Sequence, residues 1–173
     1  MKKIITGVAL LLLTTVFGTA QNRNNLISLN LSTNKLVVGY QRSFEKVPVW
    51  GEVFIGVSNQ DINSSFDDGI LGLKAGIPLF QFSKSNIYGY VNTGIYFTNN
   101  DYYNATCPFA GVGTGYKAEF GKNRRHAFIA EIGYVYGRKS YTQTYISDIL
   151  SASTTDVFKL SPLTISIGYG FKF

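Results

Sequence analysis

Residues 163–173 alternate without a break. Leu163, Ile165, Ile167, Tyr169, Phe171 and Phe173 fall on one side, and Thr164, Ser166, Gly168, Gly170 and Lys172 on the other. A period of two marks a β-strand, whose successive side chains point to opposite faces. A helix would scatter these apolar residues around its circumference. The segment therefore predicts a strand with one apolar face and one small or polar face. Its length is about that needed to cross the hydrocarbon of a bilayer when tilted.

The same pattern recurs with less purity over 26–31, 35–44, 49–58, 70–79, 87–97, 109–120 and 127–137, and an eighth strand starts near Val157 and runs to Phe173. Pro162 predicts a bulge or late pairing in it. Residues 4–17 form an apolar run behind Lys2 and Lys3, followed by Gly18-Thr19-Ala20. That is the layout of a secretory signal peptide cleaved after Ala20, and the run is too short for a membrane anchor. No Cys lies near the cleavage point, which argues against a lipoprotein. After Ala20 no stretch is long and apolar enough for a transmembrane helix. Any membrane span must then be made of strands closed into a barrel, because only helices and barrels satisfy their backbone groups in lipid.

Composition points the same way. Charged residues make up 15% of the chain, against about 25% in soluble domains. A wall facing lipid explains the deficit. Without Lys2 and Lys3 the 16 basic residues fall to 14 against 10 acidic, a net charge of +4 that makes no case for nucleic acid. A soluble lipocalin-like binding barrel is the rival architecture. It would be charged outside, whereas the less apolar faces here are mostly Gly, Ser, Thr, Asn and Tyr. The predicted fold is all-β: an eight-stranded antiparallel up-and-down transmembrane β-barrel over 21–173, preceded by a cleaved signal peptide over 1–20.

The connectors sort into two classes. Short links lie around Glu45-Lys46, Ser83-Lys84-Ser85 and Gly121 to Arg125, and long ones span 59–69, 98–108 and 139–156. Outer-membrane barrels have short periplasmic turns and long extracellular loops. Every Asp (61, 67, 68, 101, 148 and 156) falls in a predicted outer loop. Lys46, Lys84, Lys122, Arg124 and Arg125 sit in the short turns, placed to meet inner-leaflet phosphates. Aromatic residues gather at both strand ends, as interfacial girdles do.

The inward faces carry Glu52, Lys74, Lys117, Glu119 and Glu131, with Lys172 near the periplasmic mouth. Buried charges persist only when paired. The expectation is a lumenal ion-pair network in which Glu52 meets Lys74 and Lys117 meets Glu131 across adjacent strands. Eight strands leave just enough room for side chains, so no open pore is expected.

The terminal strand resembles the C-terminal signature of outer-membrane barrels, which ends in an aromatic residue behind alternating apolar ones. The resemblance implies that Ile167, Tyr169, Phe171 and Phe173 form an assembly signal read by the outer-membrane barrel assembly machinery. The whole mature chain is similar to the small OmpA- and OmpX-like barrels, and the signal peptide followed at once by Gln21 resembles their Bacteroidota members. Residence in the outer membrane among its lipids, and display of extracellular loops to an unknown partner, follow as implications. Some barrels of this size modify lipid A using His with Ser or Glu. The only histidine, His126, follows Arg124 and Arg125 in a predicted periplasmic turn, the wrong end for that chemistry. Cys107 reads as a free loop thiol. Gly111, Gly113 and Gly115 alternate on one strand face, which suits barrel packing and not a phosphate loop. No cofactor, metal site or catalytic set is implied. The expected role is a structural or surface-interaction barrel; a lipid A enzyme and a narrow channel are the alternatives.

Overall fold

The computed structural model describes residues 24–44, 46–59, 68–99, 104–146 and 151–173. The predicted signal peptide lies outside them, as do Asp61, Asp67, Asp101 and Asp148.

Among the described residues nine strands follow one another: β1 (Asn25–Ser32), β2 (Lys35–Ser43), β3 (Trp50–Ser58), β4 (Asp68–Gln81), β5 (Ser85–Asn99), β6 (Asn104–Phe120), β7 (His126–Ile146), β8 (Ser151–Lys159) and β9 (Leu163–Lys172). Each of β1 to β7 pairs antiparallel with the next. The circle closes through β9, which lies between β7 and β1. Strands β8 and β9 are one barrel strand. Lys159 stands opposite Arg138 and Leu163 opposite Tyr134, so the register against β7 is the same on both sides of the break. Pro162 causes the break because it has no N–H to donate. Its carbonyl still accepts from Val135, and the Leu160 N–H still donates to Gly137. Of the bulge or late pairing expected at Pro162, the register rules out the bulge, and regular strand pairing resumes only at Leu163. A register shift occurs instead between Pro78 and Phe80 on β4.

The barrel thus has eight strands, as the alternation predicts. Its hairpins are longer than expected on one side. The alternation predicts loops over 98–108 and 139–156, yet β5 runs to Asn99, β6 starts at Asn104, β7 runs to Ile146 and β8 starts at Ser151. Apolar alternation ends before ladder hydrogen bonding does. Thr and Tyr, abundant in these segments, favour strands without being greasy. The β7–β8 pair consequently rises as a two-stranded ribbon. Asp68 is likewise not in a loop: it opens β4 and is buried. The first hairpin is tight, with Ser32 opposite Lys35. In the short connector after β6, Gly121 adopts φ +79°, a conformation glycine reaches without a Cβ penalty.

The two faces sort as the alternation requires. Leu73, Val112, Leu163 and Ile167 point outward and are each more than half exposed (56, 58, 58 and 57%). Inward positions are buried in three apolar clusters with polar side chains between them. Phe54, Ile70, Tyr96, Cys107, Phe109, Val135 and Leu160 fill the long-hairpin end. Trp50, Tyr88 and Tyr90 form a second cluster. Leu26, Ala127 and Ile129 form a third.

Candidate functional site

Large inward side chains stand opposite glycines on neighbouring strands. Trp50 faces Gly76, Phe54 faces Gly72, Tyr90 faces Gly113 and Tyr88 faces Gly115. The glycines are steric requirements. A Cβ on Gly76 would lie 2.2 Å from Trp50 Cζ2, and one on Gly115 2.3 Å from Tyr88 Cζ. Each aromatic ring lies flat across the adjacent strand and fills the narrow lumen. The Trp50 and Tyr88 rings meet edge to face, with centroids 5.4 Å apart.

The charged residues lie among these rings. Lys74 Nζ donates to both carboxylate oxygens of Glu131, at 3.0 Å each, and stands 3.6 Å from Glu52 Oε1. The Tyr88 hydroxyl donates to Glu131 Oε1 at 2.7 Å. The Lys74 ammonium also lies over the Tyr90 ring, 5.0 Å from its centroid. Glu52 and Lys74 are direct cross-strand partners. Lys74 and Glu131 are not: β4 and β7 are separated by β5 and β6, so this pair is a strut across the lumen. Near the turn end, Lys172 on β9 pairs with Glu119 on β6.

The expected pairing of Lys117 with Glu131 does not form. Register places Lys117 opposite Ile129 and Glu131 opposite Gly115. Lys117 reaches across the lumen and donates to Gln41 Oε1 on β2 at 3.0 Å. Its ammonium lies 5.6 Å from the centroids of both Trp50 and Tyr88, within cation–π range. The expectation rested on adjacency in the sheet. In so narrow a barrel, a lysine stem spans the chord as readily as it reaches the next strand.

Two chambers flank this layer, with no lining residue in common. One, of about 70 Å3, is bordered by Lys74 and Glu131 and receives Asn30, Ser32 and Asn92. Asn30 Oδ1, Ser32 Oγ and Asn92 Oδ1 have no protein partner. The chamber mixes apolar walls with these polar groups, and it is large enough for water to bond them. The other, of about 170 Å3, opens at the turn end beside Lys117, Glu119 and Lys172.

Two charged inward residues escaped the sequence reading. Lys35 is buried, with its ammonium 5.4 Å from the Tyr96 ring centroid. It shares the parity of Val37, Gly39 and Gln41, which was signal enough. Asp68 also has the parity of Gly72 and Lys74, but polar neighbours on its N-terminal side disguised it as loop.

The two residues weighed for chemistry have structural surroundings. His126 opens β7 at the turn end, between the Phe120 and Phe171 rings, and bonds the Tyr169 hydroxyl through Nδ1. Cys107 is not a loop thiol. It lies in β6, fully buried among Ile70, Tyr96 and Phe109. The terminal residues Ile167, Tyr169 and Phe171 face outward, and Phe173 closes the last strand by donating its N–H to the Asn25 carbonyl.

No family model matches this chain, and no curated protein does. Among solved structures it is similar to a de novo designed transmembrane β-barrel. That likeness has 16% identity and a TM-score of 0.50, and covers 90% of this chain and all of the other. A major outer membrane protein from Thermus thermophilus is more distant, with 11% identity and a TM-score of 0.42, over 86% of this chain and 98% of the other. The chain has the fold of a transmembrane β-barrel.

Proposed function

We propose that this protein is an outer-membrane barrel whose lumen is plugged, and that it serves as a stable anchor displaying the β7–β8 ribbon and neighbouring loops to a partner outside the cell. The observation that carries this reading is the inversion of the usual solubility pattern. A continuous apolar wall surrounds an interior that mixes apolar clusters with buried lysines, carboxylates, amides and tyrosines. Soluble monomers rarely expose contiguous apolar patches beyond a few hundred Å2, and lipid is the solvent that makes such a wall favourable.

The cross-lumen strut and the aromatic layer between the two chambers support the plug. The short turns carry Lys46, Lys84, Lys122 and Arg124, and Arg124 Nη1 donates to the Ser83 carbonyl, tying two turns together. This basic end suits the periplasmic leaflet, and the long hairpins then face outward. The small OmpA- and OmpX-like barrels are the family this reading favours. A catalytic role is disfavoured because His126 lies at the basic end, packed between aromatic rings.

The test is fractionation followed by electrophoresis. The protein should sediment with outer membranes and migrate faster on SDS gels before boiling than after. Recovery in the soluble fraction would end the reading. Planar-bilayer recordings should show no pore-sized conductance, and a steady open channel would refute the plug.

A further inference from the structure

The outward wall is not uniformly filled. A groove of about 490 Å3 crosses β2 to β5 on its outer side, with Tyr40, Val53, Leu73 and Val91 as walls. Its floor is a register row of small residues. Gly51 stands opposite Ala75, and Ala75 opposite Val91. The space over Gly51 is open: a Cβ there would meet only the Phe44 ring, at 3.9 Å.

Arg42 heads this row, directly opposite Gly51 on one side and Asn25 on the other. Asn25 Oδ1 accepts from the Tyr40 hydroxyl at 3.0 Å, so the groove begins at a polar corner. Arg42 is exposed. It is the only Lys, Arg, Asp or Glu among the described outward positions of the wall between the short turns and Tyr136. It lies one residue from the end of β2, where an outward arginine costs far less than it does at mid-membrane. Strands in such barrels tilt by roughly 35–45°. A row perpendicular to them therefore slants from the headgroup level at Arg42 into the hydrocarbon at Val91. The groove is polar and cationic at its shallow end and apolar at its deep end.

We propose that this groove binds one glycerophospholipid from the leaflet at the short-turn end. Its phosphodiester lies against the Arg42 guanidinium, and one acyl chain lies over Gly51 and Ala75. A planar guanidinium matches phosphate oxygens two at a time, and the groove supplies the contact area that ordinary lipids forgo on a smooth wall. The proposal rests on the reading of this wall as lipid-facing.

The experiment is native mass spectrometry of the full barrel released from detergent micelles and titrated with dioleoylphosphatidylglycerol. Wild type should retain one lipid. Arg42→Gln and Gly51→Leu should each weaken that binding at least tenfold, the first by removing the phosphate contact and the second by filling the groove. Ala75→Phe provides a second way to fill it, and Ile132→Ala, elsewhere on the wall, should bind as wild type. Dioleoylglycerol, with the same chains and no phosphate, should not be retained. Equal retention by wild type and both groove variants, or retention of dioleoylglycerol as tight as that of the phospholipid, would overturn the site. Each protein is first checked for the heat-dependent gel shift of a folded barrel. A wild-type chain that never folds in lipid or detergent sinks the membrane reading, whereas folded variants that bind normally sink only the site.

Discussion

At the scale of single residues, the most consequential contact is the strut between Lys74 and Glu131. Both side chains are less than one-tenth exposed, and the pair joins walls that are not neighbours in the sheet. Removing one partner of a buried pair leaves an uncompensated charge, which costs about 3–5 kcal/mol, whereas replacing both with apolar groups is often nearly neutral. Lys74→Met should therefore destabilise strongly in urea unfolding, and Lys74→Met with Glu131→Leu should recover most of the loss. Additive losses would remove the strut from the account. Glu52 is the reason recovery should stop short of complete, because its carboxylate then loses its only cation within 4 Å among the described residues. The glycines make a different point about residues. Gly76→Ala places a methyl within the Trp50 ring, and overpacking of this kind costs about 1–3 kcal/mol. Residues in contact do not add, so Gly76→Ala with Trp50→Leu should be less destabilised than the two single losses combined. Strict additivity would mean that the ring does not occupy the space over Gly76.

At the scale of elements, β9 bears the most, because it pairs with both β1 and β7 and so closes the barrel. Its two faces make opposite demands. An arginine on the lipid face near mid-membrane costs about 2–4 kcal/mol, while a lumenal one can find carboxylates and water. Ile167→Arg should therefore unfold at markedly lower urea than Ser166→Arg, which enters the chamber beside Glu131. Equal tolerance would place the register of β9 in error. The same strand was the easiest to read from sequence, and for the same reason: a strict lipid-facing and lumen-facing division writes itself into every residue. Legibility fell where that division lapses. The β7–β8 ribbon stands beyond the apolar band, so nothing forced its residues to alternate in hydrophobicity, and it read as loop. Pro162 reads as a bulge or late pairing because a missing N–H is visible in sequence, while the unchanged register around it is not. The charged lumen was legible residue by residue from parity. Its pairing was not, because which lysine meets which carboxylate depends on distances across the barrel, and Lys117 shows adjacency choosing the wrong partner. The groove at Arg42 left only a faint trace, one arginine on an otherwise uncharged face.

At the scale of the whole molecule, the proposed function divides the chain into a wall that supplies stability and a ribbon that is displayed. The wall is continuous from the short turns to the level where Leu160 packs beneath Gly137, and every described strand there has two hydrogen-bonded neighbours or a cross-lumen brace. Among the described residues, the ribbon beyond Arg138 has no third strand beside it. Its strands pair only with each other over Arg138 to Ile146 and Ser151 to Lys159, and β6 leaves β7 at Phe109. A two-stranded hairpin is marginally stable by itself in water, so the ribbon stands because the barrel holds its base, not the reverse. Elements that lie outside the cooperative pairing of the rest of a fold open independently of it. Replacing residues 141–156 with a two-residue turn should therefore leave the barrel intact. The heat-dependent gel shift should persist, and the urea midpoint should stay within the effect of an ordinary surface change, about 0.5 kcal/mol. Leu160 must be kept, because it belongs to the buried cluster with Phe109 and Val135, and Leu160→Ala in the shortened barrel should cost about 2–5 kcal/mol. If the shortened chain instead fails to fold while Leu160 is intact, the ribbon is part of the barrel's stability, and the division between anchor and display is wrong.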